Sequence, residues 1–143
     1  MRVLLDSNVC LDYLLKRPDH FPDAESIFAN LEVANFDGLV CAVTMTTIHY
    51  IVRKEKNKDT ALLAVDELMN LVEVCLVDRL VLDNARRLGF KDYEDDVQCA
   101  SAVADGLDAI VTRNTKDFEK SPIPVYSPSK FLKVLEGASG QVN

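Results

Sequence analysis

The chain lacks a long apolar segment. Near its start, the only apolar run is residues 3–5, which ends at Asp6. A membrane-spanning helix needs about 20 apolar residues, and a secretory signal needs an apolar core of its own. We therefore expect a soluble, cytoplasmic protein with no membrane partner.

Cysteine is scarce and is not arranged for metal or disulfide chemistry. The four cysteines, Cys10, Cys41, Cys75 and Cys99, lie far apart in apolar stretches, and none belongs to a C-x-x-C pair. Zinc sites and disulfide frameworks usually show closer, patterned spacings. We expect four buried, reduced thiols.

Positive charge is also in deficit. The chain has 16 Lys and Arg against 23 Asp and Glu, for a net charge of −7, which argues against nucleic-acid binding through a broad basic face. Bound divalent cations could reverse the local potential. The cations form three local clusters: Arg53, Lys54, Lys56 and Lys58; Arg86, Arg87 and Lys91; and Arg113, Lys116 and Lys120. Ordinary solvated helix faces explain these clusters at least as well.

The pattern that is present is an alternation of short apolar runs with longer amphipathic segments. The runs are residues 3–5, 39–43, 72–77, 109–111 and 125–126. Alternating strands and helices predict an α/β fold with a mostly parallel sheet of four or five strands, flanked by helices. With 143 residues and 48% apolar side chains, one domain is expected.

Helix boundaries agree with this fold class. Gly89 and Gly106 follow periodic segments as helix ends, and Ser127-Pro128 provides a cap and a first-turn proline for a last helix that ends near Gly137. We predict one domain over residues 1–137 and a flexible tail over 138–143.

Acidic residues follow the predicted strands. Asp6 comes directly after the first strand, Asn114 and Asp117 follow the fourth, and residues 92–96 open a helix. Ligands bind outside the carboxyl ends of parallel strands, and carboxylate oxygens suit Mg²⁺. Taken singly, each acid has a structural alternative: Asp6 as a helix cap, Asp92 with Asp95 as a capping box, Asp117 as a turn residue. Their joint placement favours one metal pocket.

Three segments resemble the motif blocks of PIN domains, with the VapC-like branch as the nearest form: residues 6–17, 92–98 and 110–118. The resemblance implies a three-layer sandwich and a Mg²⁺- or Mn²⁺-dependent endoribonuclease, typically the toxin of a toxin–antitoxin pair. It implies Asp6, Asp95 and Asp117 as metal ligands, with Asn114 completing the catalytic set. The partners it implies are an RNA substrate, a small antitoxin protein and a second copy in a homodimer.

One position departs from that family's pattern. Thr47 stands where the family usually has an acid. His49 points about 200° round the helix from Thr47 and is a poor substitute. Glu94 or Asp96 could supply the missing carboxylate, although each points about 100° away from Asp95.

Two other functions stay open from the sequence. A degenerate PIN fold could bind RNA or protein without cutting, since Thr47 and Asn114 replace acids. A phosphotransfer enzyme could use Asp6 as a nucleophile, but Asn8 cannot act as the acid that such an enzyme needs nearby. For the nuclease, we expect Asp6→Asn to abolish cleavage and to leave the melting temperature nearly unchanged or slightly raised.

Overall fold

The computed structural model describes residues 1–140, and the side chains of residues 1–138. The five strands are β1 (Arg2–Leu5), β2 (Asp37–Cys41), β3 (Glu73–Cys75), β4 (Ala109–Val111) and β5 (Val125–Tyr126). The helices are α1 (Ser7–Leu14), α2 (Phe21–Glu32), α3 (Ala42–Glu55), α4 (Lys58–Leu71), α5 (Arg79–Leu88), α6 (Tyr93–Ala104) and α7 (Pro128–Gly140), with a short 3-10 helix over Thr115–Phe118.

All five strands belong to one parallel sheet in the order β3-β2-β1-β4-β5. Leu4 of the central strand pairs with Leu39 on one side and with Ile110 on the other. Because both faces are covered by helices, the inner strands are apolar at nearly every position. The predicted α/β class with a mostly parallel sheet is confirmed.

The two faces carry separate cores. Val3 and Leu5 pack into a core that includes residues of α1, α2, α3, α4 and α7. Leu4 points the opposite way, into a core shared with α5, α6 and Phe118, as expected for a side-chain period of two. The molecule is therefore a three-layer α/β/α sandwich.

Several boundaries differ from the predictions. The predicted strand over 39–43 ends at Cys41, because α3 begins at Ala42, and Ala42 and Val43 are half-buried in its first turn. The third strand is only Glu73–Cys75, and α7 continues past Gly137 to Gly140. Of the predicted flexible tail, residues 141–143 lie outside the described residues, so the tail stays a prediction.

Two other predictions concern composition. All four cysteines are buried and free, as expected. Within residues 1–140, no helix is long and apolar enough to cross a bilayer.

Candidate active site

A cleft lies at the carboxyl edge of the sheet, where β1 and β4 end side by side. Its lining includes five acids, Asp6, Asp92, Glu94, Asp95 and Asp117. The same cleft is lined by the cations Arg17 and Lys91 and by the polar residues Ser7, Asn8, Thr47 and Asn114. The structure thus brings all four sequence-predicted site residues together, from segments up to about a hundred residues apart.

Asp6 is both a helix cap and part of the cleft. Its side chain is buried, with 3% exposed, and caps α1 by accepting a hydrogen bond from the Ser7 backbone N–H at 2.6 Å. Gln98 Nε2 donates to the same oxygen at 3.0 Å. Asn8 Nδ2 at 3.1 Å and Thr112 Oγ1 at 2.7 Å donate to the other oxygen. Charge-assisted bonds of this kind fix the carboxylate in one orientation.

Asp95 stands in the first turn of α6 without a capping role. Asp92 caps this helix alone, by accepting from the Glu94 N–H at 2.8 Å. Asp95 forms no side-chain hydrogen bond with any described residue, so the predicted reciprocal capping box is absent. Its half-buried carboxylate therefore remains available to the cleft.

The acids in the cleft perturb one another. Burial, reinforced by the negative charges of Asp6, Asp92, Asp117 and Glu94, raises the pKa of Asp95 to about 7. Burial and the charges of Asp92 and Asp6 also raise the pKa of Glu94. Crowded carboxylates with raised pKa values are typical of functional sites.

Asn114 and Asp117, which follow β4, also line the cleft. The Asn114 N–H donates to Thr112 Oγ1 at 3.0 Å, and the Asp117 N–H donates to the Asn114 carbonyl at 3.0 Å. The turn predicted at Asp117 is therefore real, yet the side chains of both residues are exposed at the cleft. As at Asp6, the structural and the functional interpretations are compatible.

The sequence from residue 2 to residue 116 matches the family model of the PIN domain. This chain belongs to the PIN-domain family. The family membership predicted from the three motif blocks is confirmed, and the cleft lies at the edge of the sheet where those blocks meet.

Relatives of this PIN domain cover most of its length. Ribonuclease VapC1 of Aquifex aeolicus (strain VF5) is 27% identical over 137 residues, which cover 92% of this chain and 94% of the relative. DNA-bound VapBC from Salmonella typhimurium has a TM-score of 0.71 at 20% identity, covering 90% of this chain and 98% of that chain. A toxin–antitoxin complex from Klebsiella pneumoniae has a TM-score of 0.67 at 21% identity, covering 88% and 97%. These structures share the fold described above.

Glu94 contacts Thr47, the position at which an acid was expected in this PIN domain. Thr47 Oγ1 donates to Glu94 Oε1 at 3.1 Å, and both residues line the cleft. Asp96 points elsewhere: it is buried, and its Oδ1 accepts from the Phe90 N–H at 2.9 Å. His49 does not line the cleft. Of the two substitutes that the sequence left open, the geometry favours Glu94.

Gln98, Thr112 and Asn8 were not predicted as site residues. They surround Asp6 with donors, and Thr112 and Gln98 are fully buried. A sequence signal existed for two of them: Thr112 directly follows β4, and Gln98 lies one helical turn after Asp95. Gln98 Oε1 is a buried acceptor with no partner among the described residues, which leaves unsatisfied oxygen next to the acids.

A buried ion pair joins α1 to the loop after β4. Asp12 of α1 is 1% exposed and accepts from Arg113 Nε at 2.7 Å and Nη2 at 3.3 Å. Arg17 Nη1 lies 3.5 Å from the same carboxylate. The fork of Arg113 ties the loop after β4 to α1 and so holds Thr112 and Asn114 beside Asp6.

The side chains of the cleft are of the types that bind a hard cation, although its carboxylates do not converge on one point. Among residues 1–138, no three carboxylate, thiol or imidazole groups already surround one point as metal ligands do. The donors are nevertheless oxygens, the set carries five acids against two cations, and the Asp95 carboxylate has no hydrogen-bond partner in the described part of the chain. These residues fit Mg²⁺ or Mn²⁺ in type and charge, while their roles as ligands stay a prediction.

Proposed function

We propose that this PIN domain is a metal-dependent endoribonuclease that acts as the toxin of a toxin–antitoxin pair. The observation that carries the proposal is the group of acids from three distant segments in one cleft, where burial and the charges of the neighbouring acids raise the pKa of Asp95 to about 7. Charge repulsion of this kind is relieved by a bound divalent cation.

The metal of the proposal is Mg²⁺ or Mn²⁺, held by Asp6, Asp95 and Asp117. We assign Glu94 to the acidic position that Thr47 leaves vacant, because its carboxylate accepts the Thr47 hydrogen bond within the cleft. A divalent metal at such a site activates water and neutralises charge on a phosphodiester.

The chain's own residues would orient this chemistry. Thr112, Gln98 and Asn8 hold the Asp6 carboxylate in place through three side-chain hydrogen bonds. Arg17 lines the cleft while paired with Asp12 and Glu55, and the other N–H groups of its guanidinium can donate to a phosphate oxygen. Asn114, beside Asp117, offers an amide that can donate to a phosphate oxygen.

The partner of the proposal is a small antitoxin protein. Relatives of this chain are named ribonuclease or VapBC, and one is described as a toxin–antitoxin complex. We propose the same pairing here, with a homodimer in the cytoplasm as the working unit. Co-expression with the small protein of an adjacent reading frame should suppress RNA cleavage, and cleavage unaffected by every such neighbour would contradict the pairing.

A second candidate is a PIN fold that binds RNA or protein without cleavage. Thr47 and Asn114, two non-acidic residues in the cleft lining, favour it. The position of Glu94 weighs against it, because this carboxylate restores an acid next to Thr47.

An RNA cleavage assay separates the two candidates. Purified protein is incubated with RNA in Mg²⁺, in Mn²⁺ and with a chelator, alongside Asp95→Asn and a control, Asp66→Asn. Asp66 is an exposed carboxylate of α4 that does not line the cleft. Cleavage should require metal and be lost only in Asp95→Asn. Absence of cleavage with either metal would favour the second candidate, and cleavage that survives chelation would contradict the metal mechanism.

A further inference from the structure

Two cationic clusters that are distant in sequence meet beside the acidic cleft. Lys91 lies in the loop before α6, while Lys116 and Lys120 lie in and after the 3-10 helix. All three line one groove, here called the lysine groove, together with Phe90. Lys91 and Asp117 also line the acidic cleft, so the groove and the cleft are continuous.

The groove is built as a defined surface. Gly89 ends α5 in the left-handed conformation, with φ of 73°, and turns the chain toward Phe90. The Phe90 N–H is held by Asp96 at 2.9 Å, and its ring packs edge-on against Phe118 at 5.5 Å. Lys120 Nζ donates to the Gly89 carbonyl at 3.2 Å, which joins the two walls.

The charge in the groove is not neutralised by ion pairs. Among the described residues, Lys91, Lys116 and Lys120 are exposed, and no carboxylate lies within ion-pair distance of any of them. Glu119 and Asp117 also line the groove, so it carries a modest positive excess next to a strongly negative cleft.

We propose that the lysine groove binds the phosphate backbone of single-stranded RNA adjacent to the scissile bond. The proposal rests on the proposed ribonuclease function and assigns the path of its substrate. A phosphodiester entering a cleft with five acids is repelled, and lysines along the neighbouring backbone offset that repulsion. Half-buried Phe90 adds aromatic surface on which a base can stack.

Fluorescence anisotropy with a labelled single-stranded RNA of about 16 nucleotides, the upper end of the range of site sizes known for small single-strand-binding domains, tests the groove. The variant is the triple Lys91→Gln, Lys116→Gln and Lys120→Gln. The matched control is Lys54→Gln, Lys56→Gln and Lys58→Gln, which changes the net charge equally at exposed positions outside the groove and the cleft. Melting temperatures verify that both variants fold.

Each single-strand phosphate contact contributes about 0.7 to the slope of log affinity against log salt, so three contacts contribute about 2. The groove variant should therefore lose about 2 from the slope and bind about 100-fold more weakly at about 0.1 M salt, with little difference near 1 M. The control should keep nearly the wild-type slope.

Three outcomes would overturn the proposal: equal losses in both triple variants, no salt-dependent RNA binding by the wild type, or binding of polyglutamate in preference to RNA. The last outcome would make the groove a site for acidic protein. The ribonuclease function is tested separately. If the wild type cleaves RNA and the groove variant shows no selective loss of RNA affinity, only the proposal for the groove is refuted. If the groove variant selectively loses RNA binding but the wild type never cleaves RNA, the ribonuclease function is refuted and the proposal for the groove stands.

Discussion

Replacement of Asp95 by asparagine tests the electrostatics of the cleft directly. The amide has nearly the shape of the protonated acid, and Asp95 has no hydrogen-bond partner among the described residues that the change could break. The substitution therefore removes one negative charge from a group of five acids. In metal-free protein, we expect it to stabilise the fold.

The magnitude follows from the pKa of Asp95. A rise from 3.8 to about 7 corresponds to about 4 kcal/mol at about 1.36 kcal/mol per unit. The side chain is only about half buried, so solvent screening reduces this to about 1–2 kcal/mol. For a chain of this size, that is about 3–6 °C in melting temperature.

The sign of the pH dependence is also determined. The pKa of Asp95 is higher in the folded state, so its contribution to stability is complete below about pH 4 and is lost as the pH rises toward about 7. The asparagine variant has no such loss. The melting temperature of Asp95→Asn should thus match the wild type near pH 4 and exceed it increasingly up to pH 7, with a constant difference above.

Thermal denaturation in chelator at several pH values measures this difference. Asp66→Asn, which removes an exposed carboxylate from α4, controls for net charge and should show no comparable trend. A difference between Asp95→Asn and wild type that is independent of pH, or a less stable variant at pH 8, would refute the account of a crowded cleft.

Three further predictions concern neighbouring residues. Asp6→Asn should abolish metal-dependent cleavage and, contrary to the expectation from sequence, lower the metal-free stability by about 1–3 kcal/mol, because its new N–H₂ group faces groups that all donate to the wild-type carboxylate; an unchanged melting temperature would contradict this. Glu94→Gln should weaken Mn²⁺ binding in calorimetric titration, whereas Thr47→Glu should change it little; equal affinities in both variants and the wild type would remove Glu94 from the site. Asp12→Ala should cost about 2–4 kcal/mol in urea denaturation, since Arg113 is left half-buried without its partner, and a loss below about 1 kcal/mol, the scale of a surface pair, would contradict this role of the ion pair.

The fold was largely predictable because strands buried on both faces read as continuous apolar runs. Residues 3–5 and 109–111 show this pattern and form adjacent strands. The same pattern overextends the second strand, since the apolar residues Ala42 and Val43 are half-buried in the first turn of α3. Apolar character reports burial and does not distinguish a strand from the buried turn that follows it.

The order of residues along the chain is enough to predict which acids could meet. Asp6 and Asp117 follow strands that a parallel sheet must end at one edge, and Asp95 opens a helix toward that edge. Helical spacing, however, turns Glu94 and Asp96 away from Asp95 by equal angles. Only the packing of α6 against the sheet decided that Glu94 enters the cleft and Asp96 is buried against Phe90.

The same limit applies to charge. Lys91 and the pair Lys116 and Lys120 are separate clusters along the chain, and in sequence each resembles an ordinary solvated face. Tertiary structure alone sets the α5–α6 loop beside the 3-10 helix, so that one groove carries all three lysines next to the acids. Local spacing fixes neighbours within a helix or strand, whereas contacts between distant segments depend on how the layers pack.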